Sequence, residues 1–162
     1  MVSEEVSILR PLRSAFLRVS QLYRRYSGRM TLGVRAMILD DKGRVFLVKH
    51  SYVSGWHMPG GGVEPGETIV AALEREVREE ANIELTASPI LHAIYYNTHG
   101  SWRDHVAFYI VRQFRQIGPP EPNKEIIAHG FFAADELPAD TTKGTRERVS
   151  EVLKAREPAQ FW

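Results

Sequence analysis

Three glutamates at helical spacing are the residues of this sequence best suited to do chemistry. Glu76, Glu79 and Glu80 stand in the stretch R-E-V-R-E-E-A-N-I, which runs from residue 75 to residue 83. Positions i, i+3 and i+4 share one face of a helix, so these carboxylates would repel one another. A divalent cation removes that repulsion, and hard ions such as Mg²⁺ take oxygen ligands. A solvated helix with Glu/Arg pairs, such as Arg75 with Glu79, is the alternative interpretation.

The loop before this helix favours a metal site over simple ion pairs. It reads W-H-M-P-G-G-G-V-E-P-G-E-T over residues 56–68 and contains three consecutive glycines. Glycine loses more backbone entropy on folding than any other residue, so the run suggests backbone that closely approaches a ligand or metal. The loop also leads into the helix N-terminus, where free N–H groups favour anions. A mobile turn would leave the ordered spacing to the glutamates unexplained.

The elements that must position this loop and helix follow from the apolar pattern. Strands are predicted from apolar, β-branched runs at 31–40, 44–49, 84–96, 105–114 and 127–133. A hairpin turn at 40–43 is expected to join the first two. The glutamates lie on a helix at 68–81, and a last helix covers 143–156. Because strands and helices mix without regular βαβ alternation, we expect an α/β protein with a mixed sheet in an α/β/α sandwich.

The residues around the glutamates match a known family pattern. The Nudix box reads G-x5-E-x7-R-E-U-x-E-E-x-G-U, where U is a bulky aliphatic residue. Eight of its nine defined positions are met by Gly61, Glu67, Arg75, Glu76, Val77, Glu79, Glu80 and Ile83. Asn82 stands where the family has glycine, and asparagine tolerates the left-handed conformation of a helix C-cap, so we expect the cap to be kept. With the flanks M-P-G-G-G and F-F-A-A-D-E-L-P, the chain resembles the Nudix family over about residues 31–140.

The resemblance implies a hydrolase that cleaves a diphosphate linked to another moiety, usually in a nucleoside diphosphate derivative, using Mg²⁺ or Mn²⁺ and water. The metal ligands that it implies are Glu76, Glu79, Glu80 and the carbonyl of Gly60. Arg75 would orient the glutamates by ion pairing, and Glu67 would support the junction of loop and helix. The cation would lower the pKa of the water that attacks phosphorus. A Nudix-fold binding or regulatory module without catalysis is the competing interpretation, which the retained box glutamates disfavour.

The general base is open between two positions. In some family members it is a box glutamate, which makes Glu79 a candidate catalytic residue. In others it lies on a loop shortly before the last strand, where Glu125 stands, although a surface glutamate beside Lys124 would look the same. Glu121 is a weaker candidate, and Glu64 is expected to be a loop carboxylate without a catalytic role.

Substrate recognition is poorly specified by the sequence. Candidate contacts are Arg35 for phosphate, Trp56 for a base, and Tyr95, Tyr96, His99 and Trp102 for the pocket rim. An arginine on a strand is as often a surface residue, and Trp56 could instead cap the core, which is slightly favoured. Each of the four rim residues alone is more often structural. His99 stands where the ADP-ribose type of the family has proline, and Gly100 and Ser101 stand where the dinucleoside type has tyrosine. Neither of those two substrates is therefore supported.

The N-terminal segment is predicted to be separate from a Nudix domain at 30–162. Residues 1–29 carry six arginines and two glutamates, a net charge of +4 against +1 for the whole chain. Apolar residues recur at intervals of three and four, which is typical of an amphipathic helix, at Ile8, Leu12, Ala15, Val19, Leu22 and Tyr26. This basic helix could dock on the domain, form a homodimer, or touch anionic lipid or RNA, so an RNA 5′ end is a further candidate substrate.

Composition sets the outer limits of these predictions. With 162 residues, the chain is long enough for one domain with a sizeable core. It has no cysteine, which excludes disulfides and zinc–thiolate sites. No signal peptide and no apolar stretch long enough to span a bilayer are recognised. We therefore expect a cytoplasmic protein.

Overall fold

A computed structural model describes residues 30–98, 104–120 and 125–162. These residues contain eight strands: β1 Thr31–Ile38, β2 Val45–His50, β3 Trp56–His57, β4 Ile83–Leu85, β5 Ile90–Asn97, β6 Asp104–Val111, β7 Phe114–Gln116 and β8 Ile126–Phe132. The same described residues contain two helices, α1 Ile69–Ala81 and α2 Lys143–Leu153. The strands form three small sheets, with orders β1-β6-β5, β3-β2-β8 and β4-β7. The element order mixes strands and helices, as the sequence predicted.

The core is divided into two layers by the central strands, and β1 shows why. Its residues Val34, Ala36 and Ile38 pack with α1, while Met37 packs in a second cluster with Val149 of α2. Successive side chains of a strand point to opposite faces, so a strand that is apolar on both faces must be covered on both. One helix lies on each side of the strands, which confirms the predicted α/β/α sandwich.

The helix that carries the glutamates begins and ends close to its predicted bounds. The Thr68 side chain caps its N-terminus by accepting a hydrogen bond from the backbone N–H of Ala71 at 3.1 Å. At its other end Asn82 adopts the left-handed conformation, with φ 51° and ψ 43°, and its N–H donates to the Arg78 carbonyl. The prediction that asparagine preserves the C-cap is confirmed.

Three details of the predicted strands are wrong. The first two strands do not form an extended hairpin, because β1 pairs with β6 and β2 pairs with β3 and β8. Contact between the first two strands is limited to a bridge between Leu39 and Val45 beside the turn at 40–43. The predicted strands at 84–96 and 105–114 are each two strands, and β4 and β7 pair with each other as a separate ribbon. Pro89, which lacks a backbone N–H, lies in the first of these breaks.

Some of the predictions concern residues that the structure does not describe. These are residues 1–29, 99–103 and 121–124, and with them the N-terminal helix, His99, Trp102 and Glu121. Leu32–Trp162 forms one compact unit. Within the described part of the chain, no helix is long and apolar enough to cross a bilayer.

Candidate active site

The glycine loop is fixed by backbone hydrogen bonds to β1. Val34 N–H donates to the Gly61 carbonyl at 2.8 Å, and Ala36 N–H donates to the Pro59 carbonyl at 2.8 Å. Gly60 has φ +143°, and a Cβ there would lie 2.1 Å from the backbone oxygen of Val34. The three glycines were predicted from the sequence to approach a ligand or metal closely. At Gly60 the close approach is instead to the backbone of β1, so this glycine is required by the fold itself.

Gly61 makes room for a carboxylate of α1. A Cβ at Gly61 would lie 2.2 Å from Oε1 of Glu76, well inside van der Waals contact. Glu76 is partly buried, and burial raises the pKa of its carboxyl above the ordinary value, although Arg75 opposes the shift. The loop and the helix therefore meet at this carboxylate, with no space for a side chain between them.

Arg75 ties the loop to the helix through several hydrogen bonds. Its Nη1 donates to Oε1 of Glu76 at 2.7 Å, and its Nη2 donates to Oε1 of Glu67 at 2.8 Å. Nη2 also donates to the Gly62 carbonyl at 3.1 Å, which anchors the loop backbone. The hydrogen bonds from Arg75 lower the pKa of the Glu67 carboxyl. Glu79 lies farther away, at 3.7 Å from Nη1, with a side chain that is 60% exposed.

Arg75 and Glu67, for which the sequence predicted a positioning and a supporting role, contact each other, and Arg75 also contacts the loop. The helical Arg75–Glu79 pair that would explain the charges without a site is present, but it is the longest of the ion pairs of Arg75. The guanidinium is instead shared between the loop and Glu76. An arginine held on three sides fixes the orientation of the carboxylate that it touches.

Glu80 is the most deeply buried of the three box carboxylates. Its Oε2 accepts a hydrogen bond from the Gly60 N–H at 2.9 Å, and its Oε1 lies 3.5 Å from Nε2 of His50. Burial raises the pKa of Glu80 to about 7, against the opposing effects of the Arg35 charge and the Gly60 N–H. The charged form of a carboxylate with so little water around it is strongly stabilised by a nearby cation.

Arg35 projects from β1 to the same place. Its guanidinium donates a hydrogen bond to the carbonyl of Gly60. Its positive charge opposes the rise in pKa that burial causes at Glu76 and at Glu80. The sequence-based candidate for phosphate contact therefore lies among the box carboxylates. The Gly60 carbonyl, which was predicted to be a metal ligand, accepts a hydrogen bond from Arg35 in this structure.

The residues present fit a divalent cation in their chemistry, though their side chains are not preassembled around one. Glu76, Glu79 and Glu80 supply hard oxygen donors. The Glu76 carboxylate occupies the space beside Gly61 that a Cβ would fill. Among the residues that the structure describes, no three His, Asp or Glu side chains converge as a ready metal cluster. The carboxylates do not converge because Glu76 accepts a hydrogen bond from Arg75 and Glu80 accepts one from the Gly60 N–H.

Three further residues lie at this site, and the sequence argument missed all of them. His50 is 5% exposed, and its ring lies 5.1 Å from the Tyr52 ring and 5.8 Å from the His57 ring. Burial lowers the pKa of His50 to about 4, with contributions from Arg35 and His57, so His50 is neutral near pH 7. Single histidines and a loop tyrosine carry no spacing signal, which is why the sequence did not reveal them.

Glu125 lies at the edge of the same group. Its backbone carbonyl accepts a hydrogen bond from Ser51 N–H at 2.7 Å, which sets the loop before β8 against the loop after β2. The charge of Glu125 raises the pKa of Glu80 and of Tyr52. The structure thus brings this candidate base within electrostatic range of Glu80.

Three of the predicted substrate contacts are placed away from the glutamates or in the core. Tyr95 was predicted to line the pocket rim, and this prediction is wrong. Tyr95 is fully buried, and its hydroxyl donates a hydrogen bond to Glu151 of α2. Trp56 packs with the core cluster beneath α2, and its ring lies 5.0 Å from that of Phe132. It therefore caps the core, which was the alternative to a contact with a base. Tyr96 lies beside the C-terminal residues, and its N–H donates to the Gln160 carbonyl at 2.9 Å. Glu64 contributes its backbone N–H to Oε1 of Glu67 at 2.6 Å.

Comparison with known proteins agrees with this geometry. The profile of the NUDIX domain matches residues 29–153. Over 61 residues the chain is 41% identical to an 8-oxo-dGDP phosphatase of Homo sapiens, covering 36% of this chain and 19% of that protein. It is 31% identical over 87 residues to an RNA pyrophosphohydrolase of Legionella pneumophila, covering 54% of this chain and 45% of that protein. The chain thus spans less than half the length of these curated relatives.

Solved structures share the fold over most of their length. A MutT NUDIX hydrolase from Burkholderia pseudomallei superposes with a TM-score of 0.65 at 28% identity, covering 76% of this chain and 98% of that one. An ADP-ribose pyrophosphatase from Streptococcus suis gives a TM-score of 0.62 at 26% identity, covering 83% of this chain and 97% of that one. The residues matched by the NUDIX profile, 29–153, contain the glycine loop and the helix that carries the glutamates.

Proposed function

The chain belongs to the Nudix hydrolase family, and on that premise we propose that it is a divalent-metal-dependent hydrolase. It would cleave a diphosphate linkage in a nucleoside diphosphate joined to another moiety, by attack of water on phosphorus. The observation that carries the proposal is the meeting of Glu76 and Glu80 with the glycine loop, held by Arg75 and by the Gly60 N–H. A non-catalytic Nudix module has no need for this set of buried and bonded carboxylates.

Each polar residue of the site has a distinct part in this proposal. Glu76, Glu79 and Glu80, with the Gly60 carbonyl, would hold Mg²⁺ or Mn²⁺, which supplies charge neutralisation and a lowered pKa for water. Arg75 would position Glu76, because its other hydrogen bonds fix the guanidinium to Glu67 and to the loop. Arg35 would bind a phosphate oxygen, since a guanidinium suits phosphate and this one already points among the carboxylates.

The proton of the attacking water requires an acceptor. Glu125 and the exposed Glu79 are the two candidates, and both carry carboxylates close to the proposed metal site. If Glu125 is the base, Glu125→Gln should lower kcat strongly while metal affinity stays unchanged. If Glu79 is the base, Glu79→Gln should lower kcat and weaken metal binding together, because that side chain has both roles.

The deciding experiment is a substrate panel assayed with and without Mg²⁺. The relatives suggest its members: oxidised and ordinary nucleoside diphosphates, ADP-ribose and 5′-triphosphorylated RNA. Release of phosphate, nucleoside monophosphate or pyrophosphate that depends on the metal would support the proposal. Full turnover by Glu79→Gln and Glu80→Gln would contradict the assignment of the metal site.

The RNA 5′ end is a second candidate substrate. It is supported by the RNA pyrophosphohydrolase among the relatives and by the net charge of +4 on residues 1–29. Binding of RNA by several arginines releases counterions, so affinity should fall steeply as salt rises. An RNA affinity that does not change with salt would count against this candidate. We place either reaction in the cytoplasm, where a chain without cysteine is unremarkable.

A further inference from the structure

Tyr52 is a large aromatic residue that is exposed although it lies beside the site. It stands on the loop between β2 and β3, and 60% of the residue is accessible to solvent. Its ring centroid is 5.1 Å from that of His50, the buried neighbour of Glu80. The next residue, Val53, is 42% exposed. An exposed aromatic side chain at the edge of a polar site is a surface on which a flat ligand can rest.

The loop that carries Tyr52 is held at both ends. Ser51 N–H donates to the Glu125 carbonyl at 2.7 Å, and the backbone N–H of Trp56 donates to the Asp140 carbonyl at 3.2 Å. Within the loop, Nε2 of His57 lies 3.0 Å from the Ser54 carbonyl oxygen. Since the backbone on either side of Tyr52 is tied down, little loop ordering remains to oppose binding.

Charged residues of the proposed active site act on the Tyr52 hydroxyl. Partial burial raises the pKa of this hydroxyl, and the carboxylates of Glu80, Glu125 and Glu76 raise it further, while Arg35 opposes them. The same residues are the proposed metal ligands, a candidate base and the proposed phosphate contact. A substrate whose diphosphate lies between Arg35 and the box glutamates would extend one of its ends toward this ring.

We propose that Tyr52 is a specificity-determining residue that stacks on a planar heteroaromatic ring of the substrate. The inference rests on the proposed function and deepens it, because it names the residue that would contact the base of the nucleoside diphosphate. Every base has a π-face, so stacking on a tyrosine tolerates many bases and selects against substrates without a ring. Tyr52 thereby favours nucleotides over sugar or inorganic diphosphates of equal charge.

The test compares ligands that differ only in the base. Binding of adenosine, guanosine, cytidine and uridine diphosphates, and of ribose 5-diphosphate, is measured by calorimetry on the full chain without Mg²⁺, so that the ligands are not hydrolysed. Tyr52→Leu should weaken the tightest nucleoside diphosphate about tenfold. It should leave ribose 5-diphosphate within twofold of wild type. Tyr52→Phe keeps the ring and should bind the nucleotide as wild type does.

A matched control and a kinetic readout separate stacking from general damage. Val53→Ala trims the neighbouring exposed side chain without removing a ring, and it should bind every ligand as wild type does. In turnover assays Tyr52→Leu should raise KM and leave kcat within twofold, because the ring does not touch the reacting phosphorus. Equal losses for ribose 5-diphosphate and for nucleotides would overturn the role of Tyr52. A wild-type chain that hydrolyses no diphosphate would overturn the proposed function itself, and it is recognised by the substrate panel alone.

Discussion

Replacement of Gly61 by alanine tests whether the position of Glu76 determines activity. The added Cβ would lie 2.2 Å from Oε1 of Glu76, whereas ordinary contact begins at 3.4 Å, so the carboxylate must move by about 1.2 Å. That movement also breaks the 2.7 Å hydrogen bond from Arg75. A displacement of about 1 Å in a reacting group can cost about 100-fold in rate. We therefore expect Gly61→Ala to lower kcat by about 100-fold.

The stability of the same variant should change little. The backbone of Gly61 does not have positive φ, and the atom that the Cβ meets is the end of a movable side chain. We expect the free energy of unfolding to fall by no more than about 1 kcal/mol, which is about 2–4 °C in Tm for a chain of this size. Metal-dependent hydrolysis of the best panel substrate and thermal unfolding are measured on the same samples.

Gly66→Ala is the matched control for this experiment. It places the same methyl group in the same loop, at a residue with φ +89° and nothing within 4 Å of the new Cβ. Backbone strain should lower its stability by about 1–2 kcal/mol without affecting turnover. If Gly61→Ala kept kcat within threefold of wild type while remaining folded, the packing of Gly61 against Glu76 would have no part in catalysis and the argument would fail.

The other predictions concern stability. Gly60→Ala should lower the free energy of unfolding by about 3 kcal/mol, because its Cβ meets the backbone oxygen of Val34 at 2.1 Å; thermal unfolding beside the control above checks this. Tyr95→Phe removes a donor to the buried Glu151 carboxylate, so urea unfolding should show a loss of about 2 kcal/mol and hydrolysis should be unchanged. Burial opposes ionisation of Glu151, but its hydrogen bonds hold its pKa below the ordinary value of 4.5. The advantage of wild type over that variant should therefore be complete above pH 4.5 and decline as the pH falls further. Asn82→Gly should change stability by less than about 1 kcal/mol and Asn82→Val should cost about 1–2 kcal/mol, since φ is 51° there; equal Tm values for the two variants would contradict this.

The sequence was informative where the chemistry is local. The spacing of Glu76, Glu79 and Glu80 from Gly61 is set within one loop and one helix, so a pattern of 23 residues contains it. The contacts of Arg75 with Glu67 and with Glu76 are also made inside that segment. The helix begins after the capping residue Thr68 and ends at the left-handed Asn82, and both ends are local features.

Contacts between distant segments were beyond the sequence argument. His50 reaches Glu80 because β2 ends beside α1, and no spacing along the chain indicates that. Tyr95 was a candidate for the pocket rim because it stands beside a predicted loop. In the structure a register irregularity between Leu91 and Ala93 interrupts the pairing of β5. One extra residue in a strand reverses which side chains face the core, so the facing of Tyr95 cannot be read from alternation alone.

The hairpin error has a similar cause. A turn such as the one at 40–43 predicts that the two flanking strands pair, and the local signal is correct for the turn itself. The strands, however, are nearly all apolar on both faces, with β2 buried at five of its six positions. In the structure β2 pairs with β3 on one edge and with β8 on the other, and β1 pairs with β6, so the first two strands form no long ladder with each other.

The Gly60 carbonyl joins two predictions that the sequence treated separately. It was assigned to the metal, and Arg35 was assigned to phosphate, yet the two groups are hydrogen-bonded to each other. A carbonyl oxygen has two lone pairs, so it can accept two partners, but a guanidinium and a divalent cation on one oxygen repel each other strongly at such short range. If the carbonyl is a metal ligand, Arg35 must therefore turn away when the cation binds. The carboxylates that attract Arg35 would then be neutralised, and the group of opposite charge left for it is the phosphate of the substrate. Metal binding and phosphate binding at this site should be mutually reinforcing for that reason, and Arg35→Gln should weaken this coupling more than it weakens the binding of the metal alone.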